Sequence, residues 1–213
     1  MSFDPIALRD KLRTIITEHK SQLIQEKLEY RSRYVSFVFE HFYHSHNIDA
    51  AMRSIECCGF QDVHIINNIK KSDDTLTITK GADYWLTESH YKRPGVNNTQ
   101  ICLDLLKQNG YTLVGTTPNQ KACTLSELPL ETKVAIVFGN ERLGISDYAI
   151  ERVDGYVTIP MYGFTQSYNA SVSTAIVAYE LRKRLAGSTI NWHLSQEEKL
   201  ELELSWLNRI VCG

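Results

Sequence analysis

Much that would place a chain quickly is missing from this one. None of its 213 residues belong to an apolar run approaching the roughly 20 that a membrane span requires. Asp4, Arg9, Asp10 and Lys11 interrupt the start, where a signal peptide would be apolar. A cytoplasmic protein with no membrane association is expected. Neither sign of charge dominates, since 23 Lys and Arg against 25 Asp and Glu leave −2, with a pI near 6.4. That argues against indiscriminate coating of nucleic acid and leaves room for a local basic patch. The five cysteines (57, 58, 102, 123 and 212) are odd in number and form no CxxC pair. Reduced thiols are expected, with adjacent Cys57 and Cys58 as core filler. His41, His44 and His46 with Cys57 or Cys58 match no zinc spacing, and no metal site is expected. There is no GxGxxG fingerprint, and FGNERLG at 138–144 lacks the spacing and terminal Lys-Ser/Thr of a phosphate-binding P-loop. Internal repeats and low-complexity tracts are absent too. One domain with extensions is the natural organisation.

What the chain does have is a stretch from Lys133 to Leu185 around which the rest is organised. Two short apolar runs, Val134–Phe138 and Tyr156–Ile159, each end in a loop containing Gly or Pro, and each loop leads into a helical pattern. In an open α/β sheet, ligands bind in loops at the carboxyl ends of strands. Gly139, Gly144 and Gly163 let backbone approach a ligand, with Asn140, Glu141, Ser167 and Asn169 beside them. Each loop has a plainer reading. The first could be an ordinary strand-to-helix turn, and Asn169 or Ser171 could merely cap the following helix. A helix N-terminus is, equally, a ready site for an anion.

Taken in order, residues 4–29 predict a helix capped by Asp4 with Pro5 at its first position, broken near His19–Ser21. Tyr34–Phe39 is a continuous apolar run, which suits a strand buried on both faces. Asn47 is placed to cap a helix over 48–58, with Ile48, Ala51, Met52 and Ile55 buried and Gly59 terminating it. Val63–Ile66 completes a β–α–β unit. Residues 67–98 are poorly patterned. Thr75–Thr79 suggests a short strand, and 81–90 has no clear assignment. A helix then runs from Asn98 or Thr99 to about Asn109, and strands follow over Tyr111–Thr116, Lys133–Phe138 and Tyr156–Ile159. Short helix 146–152 carries Ser146 as cap, and 171–185 is strongly helical. Ser195 with Glu198 forms a capping box opening a last helix. This alternation predicts an α/β fold built on a mostly parallel sheet flanked by helices.

Three segments together resemble a known family. HNIDAAMRSIECCGF, FGNERLGIS and IPMYGFTQSYNASVSTAIVAYELRK are similar, in order and spacing, to the three motifs of the SpoU/TrmH branch of the SPOUT RNA methyltransferases. The similarity covers roughly residues 35–185 and looks nearest to the TrmH subgroup. The resemblance implies a deep C-terminal trefoil knot, which periodicity could not reveal. It divides the chain into an N-terminal helical extension (1–33), a catalytic domain (34–187) and a C-terminal helix (188–213). It implies a homodimer with S-adenosylmethionine bent into the knot loops, and methyl transfer to a ribose 2′-oxygen. No ribosomal-protein-like RNA-binding domain precedes the catalytic part, which tilts the substrate toward tRNA, at the D-loop guanosine of position eighteen. Large-subunit rRNA, a tRNA cytidine or uridine, and a non-catalytic RNA-binding role are the alternatives.

Residue by residue, the resemblance assigns Asn47 and Arg53 to the first motif, with Arg53 near the target ribose. Asn140 and Glu141 belong to the second, where Gly139 and Gly144 shape the cofactor loop. Ser167 and Asn169 form the polar pair of the third. Thr116, Ile159, Met161, Gly163 and Tyr168 line the cofactor. Two departures stand out: Tyr168 where the family usually has Leu, and Ser54 where it usually has Thr. Arginine is a poor general base, because its pKa lies above about 12. Arg53 is therefore expected to grip an RNA phosphate and orient the 2′-hydroxyl, with deprotonated Arg53 as base the competing scheme. Lys70, Lys71, Lys80, Arg93 and the Arg31–Arg33 pair are the candidate RNA-facing cations.

Overall fold

The computed structural model describes residues 4–42, 45–68, 84–140 and 142–212. The possible strand at 75–79, the cations Lys70, Lys71 and Lys80, and the second-motif Glu141 lie outside the described residues. Two compact units emerge. One joins the chain's two ends, up to Arg33 and from Asn191 on, and the other runs from Tyr34 to Ile190.

The first unit is helical: α1 (Pro5–Arg13), α2 (Glu18–Glu29) and α7 (Gln196–Cys212). Asp4 caps α1 as expected, its Oδ1 accepting from the N–H of Ile6 at 2.9 Å. The expected single helix breaks earlier than His19, because Thr17 caps α2 by accepting from Lys20 N–H. The capping box of α7 is made in both directions: Ser195 N–H donates to Glu198, and Glu198 N–H donates to Ser195 Oγ. Buried Glu203 accepts from Arg13 at 2.6 Å, and Arg31 lies over the Trp206 ring at 5.2 Å. Arg31 is thus buried, which removes it from the candidate RNA-facing cations, whereas half-buried Arg33 faces Glu201.

The second unit is a seven-stranded, wholly parallel sheet. Its strands are β1 (Val35–Glu40), β2 (Asp62–Ile66), β3 (Thr87–Tyr91), β4 (Thr112–Thr116), β5 (Cys123–Thr124), β6 (Val134–Phe138) and β7 (Gly155–Thr158). They lie in the order β3-β2-β1-β6-β4-β7-β5. The helices are α3 (Ser45–Cys57), α4 (Asn98–Gln108), α5 (Asp147–Arg152) and α6 (Ala170–Ala186). β1 and β6, buried at every position, hold the centre of the sheet, as continuous apolar runs do in parallel sheets. Two strands carry no sequence signal. β3 is a polar edge strand, TESHY, half-exposed along its length, and β5 is only two residues long.

Two local expectations change. α3 starts at Ser45, so Asn47 sits inside its first turn rather than capping it; the Asn47 carboxamide instead meets another helix. Cys57 is exposed, not core filler, because it falls on the solvent face of α3 one turn after Arg53. The stripe Ile48, Ala51, Met52 and Ile55 is buried as expected. Cys102 is buried, which pushes its thiol up to about 12. Phe138 stacks on Phe37 and packs tilted against Phe39, so the ends of β1 and β6 share an aromatic cluster.

Candidate active site

The strand order puts the carboxyl ends of β1, β6, β4 and β7 side by side. β2 and β3 extend the sheet on one side of β1, while β6, β4, β7 and β5 extend it on the other. The chain therefore reverses direction between β1 and β6, and a crevice opens at such a switch point. Each of the three sequence motifs leaves one of these four strands.

The loop after β6 is closed on itself. Asn140 and Gly144 exchange backbone hydrogen bonds of 2.9 and 2.8 Å. Asn140 Oδ1 accepts from the N–H groups of Arg142 and Leu143. Its Nδ2 donates to the carbonyl of His41 at 2.7 Å, which spans the switch point from β6 to β1. Only glycine fits at 139, since a Cβ there would collide with the backbone of Gly144 and Ile145. Gly144 takes a φ of 74°, a left-handed conformation that β-carbons disfavour. Thr116, ending β4, donates its hydroxyl to Val137 O at 3.1 Å and so sits against the end of β6.

The loop after β7 behaves differently. Ile159 and Met161 are half-buried, whereas Gly163, Ser167 and Tyr168 are exposed. Among the described residues, no backbone hydrogen bond ties 161–168 down. Asn169 ends this loop and caps α6, accepting from Ser171 N–H at 2.9 Å and from Ser171 Oγ at 2.6 Å. Its Nδ2 donates to Asn47 Oδ1 on α3 at 3.1 Å. The first and third motifs thus touch through two asparagines 122 residues apart. Asn169 is both the cap expected for α6 and a contact between two motifs.

Arg53 is not drawn into this contact. It is exposed on α3, on the face shared with His46, Ala50 and Cys57. Tyr84 and Trp85 are half-buried and pack edge to face at 5.1 Å. Arg93 is exposed. Among the described residues no three His, Cys, Asp or Glu side chains gather as a metal site would.

The sequence reading missed Glu40. It is fully buried at the end of β1 and accepts hydrogen bonds from Thr99 and Ser146. An acid closing an otherwise apolar strand was the available signal. It also missed His41, whose φ of 57° turns its carbonyl toward Asn140. Burial lowers the His41 pKa, with Glu40 opposing the shift.

Fold and site define a parallel α/β protein whose motif loops gather at strand ends bordering a topological switch, where such folds bind ligands. The family is more particular: a model of the SpoU rRNA Methylase family matches residues 34–179, and the chain belongs to that family. It is 40% identical to a tRNA (guanosine(18)-2′-O)-methyltransferase of Borreliella burgdorferi, over 94% of this chain and 89% of that one. It is 28% identical to the Thermus thermophilus protein of the same name, over 91% of this chain and 98% of the relative. The crystal structure of the A. aeolicus TrmH/SpoU tRNA modifying enzyme superposes with a TM-score of 0.75 at 27% identity, covering 91% and 98% of the two chains. No helix among the described residues is long and apolar enough to cross a membrane.

Proposed function

We propose that this chain is an S-adenosylmethionine-dependent tRNA (guanosine-18-2′-O)-methyltransferase of the cytoplasm. The observation that carries the reading is the Asn169–Asn47 hydrogen bond, which joins the third-motif loop to the first-motif helix at the strand ends. The names of relatives similar over nine-tenths of the chain supply the RNA and the nucleotide. The family's own name favours rRNA as the second reading.

The residues present fit S-adenosylmethionine on two counts. Residues 161–168 leave backbone polar groups open toward solvent beside apolar side chains, the mixture an adenosine needs. The loop after β6 carries Gly139 and Gly144 and an Asx turn at Asn140, which lets backbone come close to a ligand. Thr116, Gly139, Asn140, Gly144, Ile159, Met161, Gly163 and Tyr168 would hold the cofactor, and the aromatic Tyr168 offers an adenine a stacking face. When bound, the cofactor supplies a methyl group made electrophilic by its sulfonium. The chain's own task is then to position a weakly acidic hydroxyl. Arg53 grips an RNA phosphate and orients the 2′-hydroxyl, and its exposure on α3 leaves it open to RNA. Asn47, Ser167 and Asn169 supply the polar wall around the reacting ribose.

The same reading includes a deep trefoil knot, with helical extensions flanking the catalytic domain. The course of α6 supports the knot: one end meets α3 through Asn169, and near the other end Arg184 donates to Leu125 O at 2.6 Å, inside the β4–β6 connection. It also includes a homodimer. Tyr162 and Phe164 are fully exposed at 96% and 108%, and Tyr179 is 68% exposed, an apolar set that a second copy would bury. Arg93 is exposed and joins Arg53 as a candidate contact to tRNA, and few phosphate contacts predict a shallow salt dependence.

Labelled methyl transfer to tRNA transcripts, followed by nuclease mapping, tests this. Label on the ribose of guanosine 18, lost when that base is replaced, is expected. Label confined to rRNA fragments selects the second reading, and no binding of the cofactor selects a non-catalytic RNA module.

A further inference from the structure

The ends of the 139–146 loop are both fastened at the end of one strand, to the last residue of β1 and the residue after it. At its start, Asn140 Nδ2 donates to His41 O at 2.7 Å. At its finish, Ser146 donates twice to Glu40: its N–H to Oε2 at 2.8 Å and its hydroxyl to Oε1 at 2.7 Å. A third donor, the Thr99 hydroxyl at the start of α4, reaches Oε1 at 2.6 Å. Ser146 in turn caps α5 by accepting from Ala149 N–H at 3.3 Å. We propose that Glu40 is a positioning residue that holds the 139–146 loop in its cofactor-binding shape, acting through Ser146. This rests on the methyltransferase reading.

The chemistry of the side chain carries the inference. Three donors converge on one fully buried group, and a carboxylate is the acceptor-only side chain that meets all three. Every other β1 position from Val35 to Phe39 is buried too, so packing alone would favour an apolar residue here. Burying the carboxyl group is tolerated because three hydrogen bonds satisfy its two oxygens. Glutamine offers one oxygen where two are used, and brings N–H donors into a nest of donors. The neighbouring His41 completes the arrangement: its left-handed φ of 57° aims its carbonyl at the loop's first residue. From that same residue the chain leads toward α3, so the helix bearing Asn47 and Arg53 shares an anchor with the cofactor loop.

The test compares the full-length wild type with Glu40→Gln, Ser146→Ala, the double variant and Thr99→Val. Calorimetric Kd for S-adenosylmethionine and S-adenosylhomocysteine is measured beside the thermal midpoint. Glu40→Gln and Ser146→Ala are each expected to weaken binding about tenfold, the scale of a lost hydrogen bond to a charged group. The double variant should bind no worse than the weaker single one, because both remove the same latch. Thr99→Val removes a Glu40 donor that is not on the loop, and should lower the midpoint while leaving Kd within twofold. Unchanged Kd in Ser146→Ala, additive losses in the double variant, or an equal loss in Thr99→Val each overturn the inference. Should Glu40→Gln fail to fold, Ser146→Ala against Thr99→Val still decides it. Wild-type protein that binds neither ligand overturns the functional reading and this inference together, whereas wild-type binding with unmoved variants overturns this inference alone.

Discussion

Asn169 performs two jobs that substitution can separate. Its Oδ1 caps α6 and its Nδ2 reaches Asn47. Replacing a helix cap by Ala costs about 1 kcal/mol, whereas Ser caps about as well as Asn. The inter-helix bond is exposed and neutral, so it contributes about 1 kcal/mol at most. Asn169→Ala should therefore destabilise by about 2 kcal/mol, and Asn169→Ser by about 1 kcal/mol or less. In an Asn47→Ala background, Asn169→Ser should cost almost nothing, since the bond it removes is already gone. Urea unfolding of the four proteins measures this cycle, and single-turnover methylation measures its consequence. If the bond aligns the two motifs, Asn169→Ser loses at least tenfold in rate while α6 stays intact by circular dichroism. Additive stabilities in the cycle, or a full-speed Asn169→Ser enzyme, would refute the reasoning.

Three further outcomes follow from particular contacts. Gly139→Ala forces a Cβ into the Gly144–Ile145 backbone, which cannot yield as a flexible side chain would; a loss of about 1–3 kcal/mol and of cofactor binding is expected in unfolding and titration experiments. Arg53→Ala and Arg53→Lys change an exposed residue, so the thermal midpoint should hold while single-turnover rates collapse; near wild-type rates in both would remove Arg53 from the chemistry. His64 is buried, which lowers its pKa to about 4, so it is neutral in the fold and takes up a proton on unfolding. Stability from this group is intact above the unfolded value near 6.5 and declines as pH falls toward 4, by up to about 3 kcal/mol. His41 shifts in the same direction and adds to the decline. Between pH 7 and 4 the wild type should lose up to about 3 kcal/mol more unfolding free energy than His64→Leu; parallel curves would exclude His64.

Several elements were legible in the chain because their cause is local. Asp4 and Ser195 cap the helices they were expected to cap, and Gly59 and Gly110 stand where α3 and α4 end. Val35–Phe39 and Val134–Phe138 are buried strands because continuous apolar runs have no water-facing alternation to offer. The three motif loops were also identifiable, since Gly, Asn and Ser at strand ends mark backbone that must approach something. β3 and β5 were not legible, because an edge strand of polar residues and a strand of two residues are made by their neighbours rather than by their own pattern. The start of α3 was misplaced for a related reason: Asn47 has the chemistry of a cap, yet its carboxamide is engaged by Asn169.

By itself, then, the sequence determined most of the helices and the central strands, many of the residues that supply polar chemistry, and which family the motifs resemble. Only the tertiary structure decided the strand order, and with it the switch point between β1 and β6 that sets His41 against Asn140. It alone paired Asn47 with Asn169 and gave Glu40 its three donors. Periodicity reports the burial of a residue against its own neighbours along the chain. Contacts between residues about a hundred positions apart depend on how strands that are not consecutive come to lie side by side, and no local pattern encodes that.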